Sequence, residues 1–432
     1  MRYSILVLLV VCMFQSCIEI SNQFSSIPPG IWRATLEIDD TPFAGIVDEV
    51  SRGSMEGDVL PFLMEVKYDS EQSFYIEIIN GEERIPVREI RYGRDKATAK
   101  DTIWMDFPVY DSYIKAIYEE NIMEGTWHVN YRDNYSIPFK AYYGQDHLFT
   151  TDEEEPVTDL TGRWETTFEV GTEDEYPAIG EFEMDGINIS GTFLTETGDY
   201  RYLNGQMIGD KFFLSTFDGA HAFFFKGKVM EDGSLAGLFR SGKHYTTSWI
   251  ASRNSEATLT SPYQLTKMLD ETEPISFSFQ NTEGKEVTLN DPEYQGKIKL
   301  VQIMGTWCPN CKDETKFLKN FVAEQNDDVI EVIAIGFEKY KDTDKAISSL
   351  KRFKEKWEIP YEVLYGGPSE KEEASRSFPM LNKIISYPTI LFIDGNNIVR
   401  KIHTGFSGPA TSGYEVFRKD FYDTINELRN NT

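Results

Sequence analysis

Two cysteines three positions apart carry the most specific chemical signal in this sequence. They lie in Trp307-Cys308-Pro309-Asn310-Cys311, where one helical turn would bring the two sulfurs close enough to form and break a disulfide. Cys308 would lie at a helix N-terminus, where unpaired N–H groups and the positive end of the helix dipole stabilise a thiolate. Cys311, one turn further, would be more shielded. We therefore predict that Cys308 attacks a disulfide and that Cys311 resolves the mixed disulfide.

The surrounding pattern places this pair between a strand and a helix. Residues 298–304 are a nearly continuous apolar run, and apolar residues recur at helical spacing over 317–322. Elements of both kinds continue to the end of the chain, with predicted strands at 329–336, 361–365, 389–393 and 398–403 and predicted amphipathic helices at 346–357 and 417–428. The last third of the chain therefore predicts an α/β domain.

The N-terminus predicts export. A basic residue followed by the apolar run 5–14 is typical of a secretory signal and is too short to span a bilayer. Ser16 before Cys17 resembles a bacterial lipobox, which predicts a signal peptide over 1–16 and a lipid on Cys17 that holds the protein at a membrane. An ordinary cleaved signal peptide is the alternative.

The cysteine count then limits the chemistry. Only four cysteines occur in 432 residues, and Cys12 would be removed while Cys17 would be blocked by lipid, which leaves Cys308 and Cys311 as the only free thiols. Such an exported chain has no structural disulfide framework. Zinc is the main rival ligand, but it needs two further N or S ligands, and the five histidines are scattered singly. The sequence indicates no metal and no cofactor.

The composition of the chain limits the kinds of molecule that it can bind. The aromatic content of 14% and the hydrophobic content of 40% are those of a folded protein. The net charge of −28, without clustered Lys and Arg, argues against nucleic acid. After the signal no apolar run is long enough to cross a membrane, so attachment would come from the lipid.

The chain divides into several parts. Its length suits about three domains, and breaks at the acidic run 151–156 and the polar stretch 252–274 separate them. The predicted parts after the signal peptide are a β-rich module at 17–150, a second at 156–254, a linker at 255–272 and the α/β domain at 273–432. We expect a multidomain protein in which two all-β modules precede a C-terminal α/β domain.

The two modules share a strand pattern and local motifs. Alternation over 164–170 is typical of a strand with one buried face, and Gly30-Ile31-Trp32 is echoed by Gly162-Arg163-Trp164. We interpret both as small antiparallel barrels or sandwiches. Two polar residues among apolar neighbours, Arg201 and His221, are interpreted as structural groups rather than catalysts.

Three motifs of the C-terminal part together resemble the TlpA/ResA-like thiol-disulfide oxidoreductases, which have a thioredoxin fold. They are 307–314, the Tyr387-Pro388-Thr389 run that continues to Asp394, and Thr404-Gly405, within a resemblance that covers about 273–429. The resemblance implies a cis bond before Pro388 and a substrate groove lined by Trp307, Tyr387 and Pro388.

Proton handling departs from thioredoxin itself. Gln302 stands six residues before Cys308, where thioredoxin has an acidic residue, and it cannot accept a proton. Glu314 occupies the acidic position of the resembled family, which implies that it takes the Cys311 proton. An ordinary solvent-facing helix residue is the alternative.

The predicted function is a membrane-anchored extracytoplasmic thiol-disulfide oxidoreductase in the cell envelope of a Gram-negative bacterium. Its partners would be protein thiols or disulfides and a membrane electron donor, and we favour the reductase direction although the motif alone does not set it. One alternative is a surface lipoprotein whose modules bind glycan or protein. A thiol peroxidase is disfavoured because Val301 and Gly305 fill the Pro and Thr/Ser positions of peroxiredoxins.

Overall fold

The computed structural model describes residues 26–38, 58–70, 73–151, 154–325 and 328–431. The predicted signal peptide and Cys17 lie outside these ranges. Three sheets account for the strands of the described residues. Within the same ranges no helix is both long enough and apolar enough to cross a bilayer.

The first module is one antiparallel sheet. Its strands are β1 Gly30–Ile38, β2 Asp58–Ser70, β3 Ser73–Asn80, β4 Glu83–Val87, β5 Ile90–Arg94, β6 Asp101–Phe107, β7 Ser112–Glu119, β8 Ile122–Val129 and β9 Ser136–Tyr143. They are ordered β4-β3-β2-β1-β9-β8-β7-β6-β5. Although β4 and β5 are consecutive in sequence, they form the two edges of the sheet.

The second module closes into a ring. Its strands are β10 Gly162–Phe168, β11 Tyr176–Asp185, β12 Asn188–Thr195, β13 Gly198–Asp199, β14 Leu203–Ile208, β15 Lys211–Phe217, β16 Ala222–Val229, β17 Leu235–Ser241 and β18 Tyr245–Arg253. Because β10 pairs with both β11 and β18, and β12 with both β11 and β14, the antiparallel sheet forms a barrel. Its interior is filled by buried aromatic rings, among them Phe168, Phe193, Phe225 and Trp249. The prediction of two β-rich modules is confirmed.

The two modules repeat a local device at their first strands. The indole of Trp32 donates to the Pro28 carbonyl at 3.2 Å, and that of Trp164 donates to the Leu160 carbonyl at 2.8 Å. In each module a glycine with positive φ stands two residues before the tryptophan. The sequence echo therefore corresponds to the same buried geometry.

The modules also share one core. Phe217 at the end of β15 is buried among rings of the first module, with its centroid 4.5 Å from Phe62 and 5.2 Å from Trp127. The Asn80 amide donates to the Phe217 carbonyl at 2.9 Å and accepts from its N–H at 3.1 Å. Burying an aromatic ring in a neighbour's core strongly favours a fixed arrangement of the two modules.

The C-terminal domain has a thioredoxin-like fold, as the sequence predicts. Its strands are β19 Ser278–Asn281, β20 Glu286–Thr288, β21 Ile298–Met304, β22 Ile330–Glu338, β23 Glu362–Pro368, β24 Thr389–Ile393 and β25 Val399–Thr404. They are ordered β20-β19-β23-β22-β21-β24-β25, with β21, β22 and β23 parallel. The helices are α1 Pro309–Glu324, α2 Thr343–Lys356, α3 Lys371–Ser377 and α4 Tyr414–Asn431.

The segment 255–272, predicted as a linker, lies along the C-terminal domain. The Thr404 N–H donates to the Pro262 carbonyl at 3.0 Å, and the Leu269 N–H donates to that of Met380 at 2.9 Å. On the other side, Arg163 of the second module donates to the Ala257 carbonyl at 3.0 Å. The chain therefore passes from the barrel to the C-terminal domain over a few residues near 258–261.

Candidate functional site

The two cysteines lie where the buried strand β21 ends and α1 begins. Cys308 is the N-cap of α1, and Pro309 follows in the first turn, where a missing N–H costs nothing. The cysteines form a disulfide with Cα atoms 5.2 Å apart, and the Cys311 N–H lies 3.1 Å from the Cys308 sulfur. The structure therefore places one sulfur at the helix terminus and the other inside the first turn.

The loop before β24 faces this pair. The Tyr387–Pro388 bond is cis, the geometry that the resemblance implies, and the Tyr387 carbonyl oxygen lies 3.4 Å from the Cys308 sulfur. The Gly405 N–H donates to the Pro388 carbonyl at 2.8 Å, which ties the end of β25 to the loop. Cys308, Cys311, Tyr387 and Pro388 are thus brought together.

Trp307 lies at the edge of the same site. Its indole donates to the Phe337 carbonyl at 2.9 Å, and its ring meets that of Tyr387 edge-to-face with centroids 5.6 Å apart. The Lys339 ammonium lies 4.2 Å from the centre of the Trp307 ring. Both aromatic side chains predicted to line a groove are therefore held in fixed orientations beside the disulfide.

Behind the disulfide lies a buried carboxyl group. Glu314 is fully buried, so the solvent-facing alternative is wrong. The Gln302 amide donates to Glu314 Oε2 at 2.9 Å and to the Cys311 carbonyl at 3.3 Å, whereas Glu314 Oε1 has no hydrogen-bond partner among the described residues. Gln302, which cannot itself accept a proton, therefore joins Glu314 to the backbone of Cys311.

Burial sets the protonation of this group. Desolvation raises the pKa of Glu314 to about 8, against the opposing hydrogen bond from Gln302. This value is close to the pKa of an ordinary thiol, about 8.5. Glu314 therefore lies behind the resolving cysteine with a pKa in the range in which ordinary thiols titrate.

A second buried carboxyl group, Glu338 at the end of β22, was missed by sequence reasoning. It accepts from the Thr306 N–H at 2.9 Å and from the Thr306 hydroxyl at 2.7 Å, two residues before Cys308. Burial raises its pKa to about 7, and the two bonds from Thr306 oppose the rise. The available signal was a glutamate that ends an apolar strand.

The outer side of the disulfide is covered by the second module. The connection from β12 to β14, residues 196–202, is called the covering segment below. The Asn310 amide donates to the Asp199 carbonyl at 3.3 Å, and the Ser386 hydroxyl donates to the Thr197 carbonyl at 2.8 Å. The Asp199 carboxylate accepts from the Gly408 N–H at 2.6 Å. These contacts join the covering segment to Asn310, to the loop that contains the cis bond and to the loop after β25.

Arg201 fixes the covering segment to α1. Its side chain is only 3% exposed and pairs with Asp313 at 2.6 Å and with Glu83 of the first module. It also donates to the Pro309 carbonyl at 3.4 Å. Arg201 is thus an ion-paired side chain whose partners lie in other parts of the chain, beside the dithiol.

His221, the other polar residue singled out, pairs within its own module. Its Nδ1 lies 3.1 Å from the buried carboxylate of Asp218. Burial would raise the pKa of Asp218, but His221 and Arg201 together hold it well below its usual range. Asp218 and Arg201 line a cavity of about 400 Å³ where both modules meet α1. Within the described ranges no three His, Cys, Asp or Glu side chains form a metal-binding cluster.

A profile of the AhpC/TSA family matches residues 272–402, which contain both cysteines and the cis proline. The C-terminal part of this chain, which has a thioredoxin-like fold, is therefore similar to that family over these residues. The matched range excludes both β-rich modules, and with them the covering segment.

Two curated relatives and one solved structure are similar to part of this chain. "Thioredoxin-like protein YneN" of Bacillus subtilis is 23% identical over 129 residues, 30% of this chain and 68% of the relative. "Thiol:disulfide interchange protein DsbE" of Escherichia coli is 30% identical over 126 residues, 28% of this chain and 57% of the relative. A solved DsbF homologue from Corynebacterium diphtheriae is 18% identical, with 38% of this chain and 94% of that chain covered and a TM-score of 0.29. The alignment thus spans 57% of the length of DsbE and 68% of that of YneN.

Proposed function

We propose that this protein is a membrane-anchored extracytoplasmic thiol-disulfide oxidoreductase that reduces protein disulfides with Cys308 and Cys311. The carrying observation is the bonded cysteine pair at the N-terminus of α1 opposite the cis Tyr387–Pro388 bond. The name of the DsbE relative supports the reaction class. The signal-like N-terminus and the lipobox-like Cys17 support export and a lipid anchor.

The reaction balances as two exchanges. The Cys308 thiolate attacks one sulfur of a substrate disulfide, that S–S bond breaks, and the other substrate sulfur leaves as a thiolate. Cys311 then gives its proton to Glu314 and attacks the Cys308 sulfur, which releases the second substrate thiolate. The substrate gains two electrons and the protein is left with the Cys308–Cys311 disulfide. A dithiol protein at the membrane would return the two electrons.

Insulin reduction with dithiothreitol tests the reaction. We expect Cys308→Ser to lose the catalysed rate, because the attacking thiolate is gone, and Cys311→Ser to stop after one exchange. The matched control is Cys17→Ser, which should keep the rate but move the protein from the membrane fraction to the soluble fraction. Full activity in Cys308→Ser would refute the proposal.

Trapping tests the substrate class. Without Cys311 a mixed disulfide at Cys308 cannot be resolved, so Cys311→Ser should hold its substrate proteins covalently. The double variant Cys308→Ser/Cys311→Ser is the control, and mass spectrometry should find cysteine-containing proteins only on the single variant. Equal recovery on both variants would argue against protein disulfides as substrates.

A further inference from the structure

The dithiol is closed off from solvent by another part of the same chain. Cys308 is 4% exposed and Cys311 is fully buried, although a substrate sulfur must reach Cys308. We propose that the covering segment is an intramolecular lid that occupies the place of a protein substrate, so that protein disulfides reach Cys308 only after the second module moves away. This inference rests on the proposed function.

The covering segment lies directly against the residues that flank the dithiol and the cis bond. It bonds to Asn310, which lies between the two cysteines, and to Ser386, which precedes the cis bond. A Cβ on Gly198 would lie 1.9 Å from the Asn310 amide nitrogen, so a residue with a side chain could not approach so closely. A substrate backbone at the same place would collide with residues 197–199.

Buried ion pairs of Arg201 also hold the covering segment in place. Arg201 pairs with Asp313 of α1 and with Glu83, and all three side chains are largely shielded from solvent. Removing one partner of a buried ion pair leaves an uncompensated charge, which is strongly unfavourable. Arg201 is therefore one of the groups that hold the covered state, together with contacts of the first module such as the Arg352–Asp111 ion pair at 2.9 Å.

The interface between the covering segment and the C-terminal domain is polar and has open clefts beside it. Open clefts of about 450 Å³ and 510 Å³ lie on either side of it, one lined by Glu196 and Phe406 and the other by Tyr202 and Pro409. The contacts of the covering segment described above are hydrogen bonds and ion pairs. Domain interfaces that are polar and incompletely packed resemble transient interfaces.

The lid is tested on the reduced full-length protein with two thiol reagents. Iodoacetamide is small, and a maleimide that carries a polyethylene glycol chain is bulky. In Arg201→Ala, we expect the ratio of bulky to small modification rates at Cys308 to rise at least about tenfold, because the covered state loses a buried ion pair. Insulin reduction should rise in parallel, while reduction of hydroxyethyl disulfide should change far less.

The matched control is Arg253→Ala. Arg253 is also in the second module, but it donates to the carbonyls of Asp159 and Thr161 in that module, so the ratio should stay at the wild-type value. Gly198→Ala disturbs the contact by a second route and should raise the ratio. It decides the matter if Arg201→Ala fails to fold by circular dichroism.

The two proposals fail in different ways. An unchanged ratio in a folded Arg201→Ala or Gly198→Ala protein overturns the lid, even if wild type reduces hydroxyethyl disulfide normally. Wild type that reduces neither that compound nor insulin refutes the proposed function itself, whatever the modification rates.

Discussion

The two sides of the Cys308–Cys311 disulfide are formed by different domains of the protein. The inner side is a buried amide and carboxyl group, Gln302 and Glu314, from the same domain as the cysteines. The outer side is the covering segment, which comes from another domain and meets the cysteines across a polar interface. In the proposals above, the inner side takes the Cys311 proton, and the outer side must move before a protein substrate can approach.

The two sides of the disulfide also differ in their similarity to the AhpC/TSA family. The inner residues lie within the range 272–402 that matches the AhpC/TSA family, and the covering segment lies outside it. The residues of the proposed chemistry therefore lie inside the range that matches the family. The proposed lid lies outside that range.

The largest effect is expected from Glu314→Gln. If Glu314 takes the Cys311 proton, resolution of the mixed disulfide should slow by about 10²-fold or more, while the attack by Cys308 is little changed. Rapid acid quenching and mass spectrometry would follow the mixed disulfide. An unchanged resolution rate and an unchanged pH profile near pH 8 would leave the inner side without a catalytic role.

The pH dependence of the free energy of unfolding should also depend on Glu314. The folded-state pKa of Glu314, about 8, is above the ordinary 4.5, so between these values the folded state binds more protons and its stability falls as pH rises. Relative to Glu314→Gln, oxidised wild type should therefore lose on the order of 3 to 4 kcal/mol between pH 5 and pH 8, given about 1.4 kcal/mol per pKa unit. Chemical unfolding at both pH values measures the gap, and a gap that does not widen would contradict the buried position.

Glu338→Gln should affect stability more than rate. Both donors from Thr306 would meet an amide in place of a carboxylate, and leaving a buried donor without its acceptor costs about 1–3 kcal/mol. Because Glu338 holds Thr306 rather than Cys311, resolution should stay close to the wild-type rate. A loss as large as that of Glu314→Gln would show that the two carboxyl groups act together.

The smallest effect is expected at the rim of the outer side. Glu181 accepts from the Ser412 N–H at 3.0 Å in an exposed position, where such contacts contribute at most about 1 kcal/mol. Glu181→Gln should therefore leave the bulky-to-small modification ratio at Cys308 near the wild-type value. A tenfold rise would mean that the rim, and not Arg201, holds the interface closed.

Local patterns explain what the sequence predicted well. The buried strand β21 and the helix α1 follow from apolar spacing over short stretches. The position of Pro388 and the interest in Glu314 came from the family resemblance. The depth at which Glu314 is buried depends on packing that no local pattern specifies.

The remaining features depend on contacts between distant residues. Thr306 and Glu338 are 32 positions apart, and Arg201 is 112 positions from Asp313 and 118 from Glu83. A polar residue among apolar neighbours signals a paired group, but it does not say where the partner lies. For the same reason strand alternation left barrel and sandwich open, since closure depends on the pairing of β12 with β11 and β14.

The closed barrel has a mechanical consequence. The covering segment is not a free loop, because the Tyr200 ring is packed inside the barrel and its hydroxyl is 2.8 Å from that of Tyr176. Phe217 in turn joins the barrel to the first module. The covering segment can therefore leave the dithiol only if the whole barrel moves, and the first module, joined to the barrel through Phe217, would move with it.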